Sequence, residues 1–298
     1  MMKKIAPLLI FPCVSYASFY TTLAPIYWQA NVNGLNIGIL ETGSTQKVID
    51  LDFDYDFGFR VGLGATLKKN WDIELRYTHI HTNAYAETEG QIFPSFGARL
   101  PLTNGFVDKQ RTHWRLHLGV VDLEAICPSA FCSESFILSP HFGLRYASVR
   151  QKFNVHYFGG SLFPEAEDLI SSKNKYSGIG VTGGLNTEWM LFKNISLFFD
   201  NALSFLQGEF YVHQIEKATT DEQKRQGILN IFHSGASILD LAIGPKWENK
   251  NISLKAAWEN HFFFCQNQFL FFTQSYAFAG NQGDLSLKGF TLTLDYRL

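Results

Sequence analysis

The sequence predicts an all-β fold, a transmembrane antiparallel β-barrel of about ten strands, with roughly 8 to 12 the range its ambiguous stretches allow. Three observations lead there. Segment after segment alternates apolar and polar residues with period two, which puts one chemistry on each face of a strand. Aromatic residues make up 15% of the chain and phenylalanine alone takes 28 positions, yet nothing after the N-terminus forms the ~20-residue apolar run that a membrane helix needs. The connections alternate between short polar turns and long irregular stretches, as in a barrel with short periplasmic turns and long external loops.

The N-terminus reads as an export leader. Lys3 and Lys4 precede the apolar stretch Ile5 to Val14, and Ser15-Tyr16-Ala17 supplies small residues at the two positions a signal peptidase reads. Cleavage after Ala17 makes residues 1–17 a signal peptide and leaves 18–298 as the barrel. Cys13 is not read as a lipidation site, because Ile10-Phe11-Pro12 lacks the leucine and small residues expected before a lipidated cysteine.

The first strand, about Leu23 to Leu40, is the least regular. The clearest follows: Phe57, Phe59, Val61, Leu63, Ala65 and Leu67 share one face, with Arg60 and four small residues on the other. After the turn Lys68-Lys69-Asn70, Trp71, Ile73, Leu75 and Tyr77 oppose Asp72, Glu74, Arg76 and Thr78, completing a hairpin. Trp114, Leu116, Leu118 and Val120 then oppose Arg115, His117 and Gly119, and Val121 disturbs the phase as a bulge would. Leu138 to Tyr146 places His141 and Arg145 on the polar face. Ile179 to Trp189 does the same for Asn186 and Glu188, and its hairpin partner starts at Ile195. Leu239 to Trp247 and Ile252 to Trp258 form a further pair, presenting Asp240 and Lys246, then Lys255 and Glu259. The last strand, Leu285 to Leu298, sets Phe290, Leu292, Leu294, Tyr296 and Leu298 against Gly289, Thr291, Thr293, Asp295 and Arg297. It is expected to meet outer-membrane lipid, to pair with the first strand and to carry the address read by the barrel-insertion machinery.

Short turns fall at Lys68 to Asn70, Ala125 to Ser133, Leu191 to Asn194 and Glu248 to Asn251. Long stretches fall between them: Glu41 to Tyr55, Thr82 to Arg111, Asn154 to Lys173, Gln214 to Gly227 and Gln266 to Asp284. An even strand count puts both termini in the periplasm.

The two faces assign the candidate residues. Trp71, Trp114, Trp189, Trp247 and Tyr296 sit near strand ends and are expected in an aromatic girdle at the headgroup level. On the polar face stand Arg60, Glu74, Arg76, Arg115, His117, Arg145, Glu188, Asp240, Lys255, Glu259, Asp295 and Arg297, joined by Asp200 and Lys246. A lysine or arginine facing lipid would cost roughly 2–4 kcal/mol at the midplane, so these residues are expected to line a lumen. That lumen is either a polar pore or a narrow interior filled by ion pairs.

Several classes drop out. With Lys+Arg 25 against Asp+Glu 27, a net charge of -2, the chain has no basic footprint for nucleic acid. Neither a G-x-S-x-G nor an H-E-x-x-H signature is present, no catalytic residue is assigned, and the chain is not expected to be an enzyme. His79 and His81 make only a two-ligand motif, so neither a metal nor a cofactor is expected. Cys127 and Cys132 are close enough in an exported chain for a local disulfide, two free thiols being the alternative, and Cys265 has no evident partner.

The run Asp56 to Gly64 followed by Trp71 to Thr78 resembles the early hairpin of the MOMP-like proteins, pore-forming major outer membrane proteins of chlamydia-like and legionella-like intracellular bacteria. Val121 to Glu124, Pro140 to Arg145, Gly184 to Trp189, Ala257 to Phe263, Gln266 to Phe269 and Gly283 to Leu292 continue the resemblance in order along the chain. It implies an outer-membrane β-barrel, porin-like, and in some relatives a surface antigen or adhesin with cysteine cross-links. Two features depart from the family: the last residue is Leu298 where relatives usually have phenylalanine, and three cysteines remain after cleavage. The expected function is passive diffusion of small hydrophilic solutes across a bacterial outer membrane. The alternative is a non-conducting surface-exposed structural or adhesin barrel whose external loops contact host or envelope partners. A homo-oligomer is compatible with either, and no residues specify its interface.

Overall fold

A computed structural model of the protein describes residues 18–35, 37–67, 71–96, 105–218, 226–273, 277–280 and 283–298. The expected leader, 1–17, and the turn 68–70 lie outside the described residues. In chain order the strands are β1 (Ser18–Val32), β2 (Gly38–Thr42), β3 (Thr45–Ile49), β4 (Asp52–Phe53), β5 (Tyr55–Leu67), β6 (Trp71–Pro94), β7 (Val107–Ile126) and β8 (Phe131–Cys132). There follow β9 (Phe136–Gly159), β10 (Phe163–Phe192), β11 (Ile195–Ala218), β12 (Gln226–Asn249), β13 (Ile252–Asn267), β14 (Leu270–Thr273), β15 (Ala277–Gly280) and β16 (Gly283–Arg297).

Ten of these strands close a ring, β1-β5-β6-β7-β9-β10-β11-β12-β13-β16, in which β16 returns to β1 and every neighbouring pair is antiparallel. A strand in lipid must find all its backbone partners within the protein, and closure is what removes the unpaired edge. The seam runs from Tyr20↔Arg297 to Val32↔Leu285, with a gap at Pro25, whose nitrogen has no hydrogen to donate. Gly289 sits in this seam at φ +155°, where a β-carbon would come within 2.2 Å of the Tyr27 carbonyl, so only glycine lets the two strands approach this closely. The expected pairing of the last strand with the first is therefore found. The first strand itself ends at Val32 rather than near Leu40, and β2 is a separate element.

Strand length decides how the barrel sits. A tilted strand crosses the hydrocarbon core in about 9–11 residues. β9, β11 and β12 each have 24 residues, so more than half of each projects beyond the membrane at the long-connection end. Most of Thr82 to Arg111 and of Asn154 to Lys173, expected as loops, is continued strand: β6 runs to Pro94, β7 starts at Val107, and only a short turn separates β9 from β10.

Along these strands the two faces exchange chemistry. On β9 the outward positions Leu138, Phe142, Leu144 and Tyr146 are apolar, whereas Ser148, Arg150, Lys152 and Asn154 beyond them are polar. Its inward positions change the other way, from His141 and Arg145 to Val149, Phe153, Val155 and Tyr157, all buried. β6 shows the same switch, its inward row passing from Glu74, Arg76 and Thr78 to Ile80 and Ala84. On β12 the exchange is incomplete, because Leu229 and Ile231 stay exposed above the level where it occurs elsewhere. The apolar outward band meets lipid; beyond it the wall faces water and the interior becomes an ordinary apolar core.

This exchange corrects three expectations on β7. Its ladder with β9 is continuous from Lys109↔Phe158 to Ile126↔His141, so Val121 is no bulge. Asp122 and Glu124 face inward, and with them Trp114, Leu116, Leu118 and Val120. Arg115 and His117, expected in the lumen, therefore point outward above the lipid band. Trp114, expected in the girdle, is fully buried inside the barrel, where its Nε1 donates to Gln151 Oε1 at 3.1 Å. The other girdle residues, Trp71, Trp189, Trp247 and Tyr296, are exposed on the outer wall near the short-turn end. Cys127 and Cys132 are free thiols in the structure, so of the two alternatives the disulfide is not the one found.

Replacing Trp114 with alanine empties a core site and should lower stability by about 3–5 kcal/mol, measured by reversible urea unfolding in lipid vesicles. Trp189→Ala on the outer wall should cost less than half of that. Equal losses would place Trp114 at the lipid surface.

Candidate functional site

The interior divides at Trp28. Above it, toward the long connections, a continuous apolar cluster fills the barrel: Ile26, Ile80, Trp114, Leu116, Phe153, Tyr157, Ile170, Phe210, Ile238 and Leu287 come from nine of the ten strands with Trp28 and Phe263. Segments between strands also enter it. Leu35 and Ile37 follow β1 inward, and the Tyr157 hydroxyl donates to the Ile37 carbonyl at 3.3 Å. Phe269, just after β13, packs with its ring tilted against Phe153 at 5.6 Å, and Phe153 also meets Phe96 edge-on at 5.1 Å. Gln151 and Asn174 hold this second segment from two strands by donating to the Gln266 carbonyl, at 3.1 and 2.7 Å. No alternation marks Leu35, Ile37 or 266–269, so their place inside the barrel was not legible from periodicity.

Below Trp28 lies a cavity of about 760 Å³ lined by charged side chains. Trp28 forms its ceiling: Nε1 donates to Thr291 Oγ1 at 3.1 Å, and the ring packs 4.5 Å from His261 and 5.5 Å from the Arg60 guanidinium. From there a chain of charges crosses the lumen. Arg60 donates to both oxygens of Glu259 at 2.9 Å, a two-pronged contact that fixes geometry as well as charge. His261 lies between Glu259 at 3.0 Å and Asp240 at 2.7 Å. Arg145 links Asp240 to Asp122, and Arg76 joins Asp122 at 3.6 Å to Glu124 at 3.0 Å. Nearer the short turns, Lys246 binds Glu188 at 2.8 Å and also Glu248, which reaches Arg297 at 3.6 Å.

Of the candidate residues, Arg60, Glu74, Arg76, Arg145, Glu188, Asp240, Lys255, Glu259 and Asp295 line the cavity, with Asp200, Lys246 and Arg297. Thr22 donates to Asp295 at 2.8 Å, tying the first strand to the last. Arg115 and His117 take no part. Missing from the expected set were Asp122, Glu124, His141 and His261. For Asp122 and Glu124 the signal was available, since Val121, Leu123 and Ala125 alternate with them and fix the phase of β7 from its lower end.

Outside the lipid band the chemistry differs. At the far end of β6, Glu87 accepts from Lys109, Tyr85 and Arg111, and these hydrogen bonds, that from Lys109 first, hold its carboxyl down to about 2. His79 and His81 are on the outer wall, where His81 stacks on His117 at 4.1 Å. Among the described residues no group of three or more histidine, cysteine, aspartate or glutamate side chains is arranged to hold a metal ion.

The ion chain makes the lumen rigid rather than passive. Removing one member of a buried pair strands its partner, at a cost of about 3–5 kcal/mol, whereas removing both relieves the desolvation penalty. Arg60→Met should therefore destabilise the barrel by about that amount in urea unfolding. Adding Glu259→Leu should restore more than half of the loss, and additive losses would contradict the coupling.

The closed ten-stranded barrel can be set beside known proteins. A family profile described as "Legionella pneumophila major outer membrane protein precursor" matches residues 11–298. Among solved structures, the outer membrane protease OmpT from Escherichia coli is similar at 12% identity and TM-score 0.52, over 94% of this chain and 97% of that one. A major outer membrane protein from Thermus thermophilus aligns at 12% identity and TM-score 0.35, over 95% of this chain and 99% of that one. No curated protein matches. At such identity the likeness to OmpT is one of fold.

Proposed function

The chain belongs to the Legionella major outer membrane protein family, a bacterial outer-membrane β-barrel, and on that premise we propose that it works as a closed, non-conducting surface barrel. The observation that carries this reading is the apolar layer across the lumen. Side chains from nine strands, with Leu35, Ile37, Phe96 and Phe269 between them, form one continuous buried cluster between the charged cavity and the long-connection end, and polar side chains buried among them, Gln151 and Asn174, are hydrogen-bonded to the Gln266 carbonyl. An ion moving through that layer would have to shed its water among aromatic and aliphatic groups, which is how hydrophobic constrictions stop conduction. Below the layer, ion pairs hold the wall; beyond the membrane, the strands extend as a rigid platform that presents the connections to partners outside the cell.

The porin-like reading, passive diffusion of small hydrophilic solutes, draws on the charged cavity of about 760 Å³ and on the family resemblance. It requires the apolar layer to part. A catalytic role has no support in the acids of the outer end, since Glu87 and Glu89 are engaged by Lys109 and Arg111. The closing strand β16 keeps its role here as the segment proposed to be read by the insertion machinery.

Planar-bilayer recording on refolded protein, with insertion verified by flotation, should show no current steps above the bare membrane. Reproducible discrete steps would establish the channel reading in its place.

A further inference from the structure

The outer wall just beyond the lipid band carries a block of cations that, among the described residues, no carboxylate neutralises. On three adjacent strands, β7, β9 and β10, His117 stands opposite Arg150 and Arg150 opposite Lys175, while Arg115 stands opposite Lys152 and Lys152 opposite Lys173. All six point outward, by the same alternation that puts Trp114, Val149, Phe153 and Tyr176 inside. Like charges placed directly across a ladder repel. Among the described residues no carboxylate pairs with Arg115, Arg150, Lys152 or Lys173; the nearest outward acid on β11, Glu209, faces His233 at 3.7 Å. Lys175 lies over the Tyr211 ring, 5.4 Å from its centre. The contrast with the neighbouring wall is plain, because there Lys109 and Arg111 are matched by Glu87 and Glu89. A fold that pairs its charges elsewhere and leaves this block unpaired has its counter-charge outside the chain.

The position of the block says what that counter-charge is. On β9, Arg150 and Lys152 come four and six residues after Tyr146, the last apolar outward residue of the band. At about 3.4 Å per residue and a tilt near 40°, they stand roughly 10–15 Å above it, and long side chains can reach back toward the interface. The layer at that height is the headgroup layer of the outer leaflet. We propose that Arg115, Arg150, Lys152 and Lys173 form a binding site for a phosphorylated lipid headgroup, one bearing phosphate monoesters, whose acyl chains lie along Tyr146, Leu144 and Val181 on the same strands. Arginine supplies paired donors to phosphate oxygens and lysine supplies point charge, so the mixture suits a headgroup with more than one phosphate. The site does not depend on whether the barrel conducts.

Native mass spectrometry of the refolded mature barrel in zwitterionic detergent, titrated with diphosphoryl lipid A, tests the site. The unaltered chain should retain the lipid. Arg115→Gln/Arg150→Gln/Lys152→Gln/Lys173→Gln should weaken retention at least about tenfold. Lys109→Gln/Arg111→Gln, which removes cations already paired, should change it by less than about twofold. Lys152→Glu alone, in the middle of the block, should weaken it about fivefold or more, and reads out the site if the fourfold variant does not refold. Unchanged retention by Lys152→Glu or the fourfold variant would overturn the proposal. So would phosphatidylglycerol binding as tightly as diphosphoryl lipid A, or inorganic phosphate alone binding as tightly as the lipid.

Discussion

Every backbone N–H and C=O that enters hydrocarbon must be bonded within the protein, and the β1–β16 seam is where this chain meets that requirement. Without the ladder from Tyr20↔Arg297 to Val32↔Leu285, two strand edges would lie open in lipid. Closure in turn creates an inside, and the side chains that line it must be compatible with a tube too narrow to hold bulk water along its whole length. Thr22 bonded to Asp295 and Trp28 bonded to Thr291 show the seam and the interior being built by the same residues.

Because the strands are longer than the membrane is thick, the solvent outside the wall changes along each one, and the chemistry of the inside changes with it. Where lipid lies outside, apolar groups are free to face out and the interior holds charges paired across strands. Where water lies outside, the hydrophobic effect pulls apolar groups inward and the interior becomes a packed core. The Arg60–Glu259–His261–Asp240–Arg145 chain and the Trp114–Phe153–Phe269 layer are thus two answers to one question, separated by Trp28. The cations outside the second region follow from the same exchange: where the inward parity is apolar, the charged residues stand on the outward one.

Much of the lower barrel was legible in the sequence. Leu138 to Tyr146, Ile252 to Trp258 and Phe290 to Leu298 alternate cleanly because lipid on one side and charge on the other reinforce one another, so the parity of each strand could be read directly. The upper barrel was harder to read, since its apolar residues occupy the opposite parity. Trp114, Leu116 and Leu118 look like a lipid face, and taking them for one turned Arg115 and His117 inward and made Val121 seem bulged. The same reversal made the strand extensions of β6 and β9 look like irregular loops. The face of His261 follows from the parity of Lys255, Ala257 and Glu259, but its contact with Asp240 on β12, and the hold of Gln151 and Asn174 on the segment around Gln266, depend on pairings across the lumen, which alternation does not encode.

A spin-label scan of β9 in vesicles would locate the level at which the two faces exchange chemistry. Labels at the outward positions from Leu138 to His156 would be compared for collision with oxygen, which concentrates in lipid, and with a water-soluble nickel chelate. Labels up to Tyr146 should favour oxygen and those from Arg150 onward should favour nickel, with the crossover between them. Oxygen-dominated collision continuing through Lys152 and Asn154 would rule out an exchange at this level, because those positions would then lie in the bilayer.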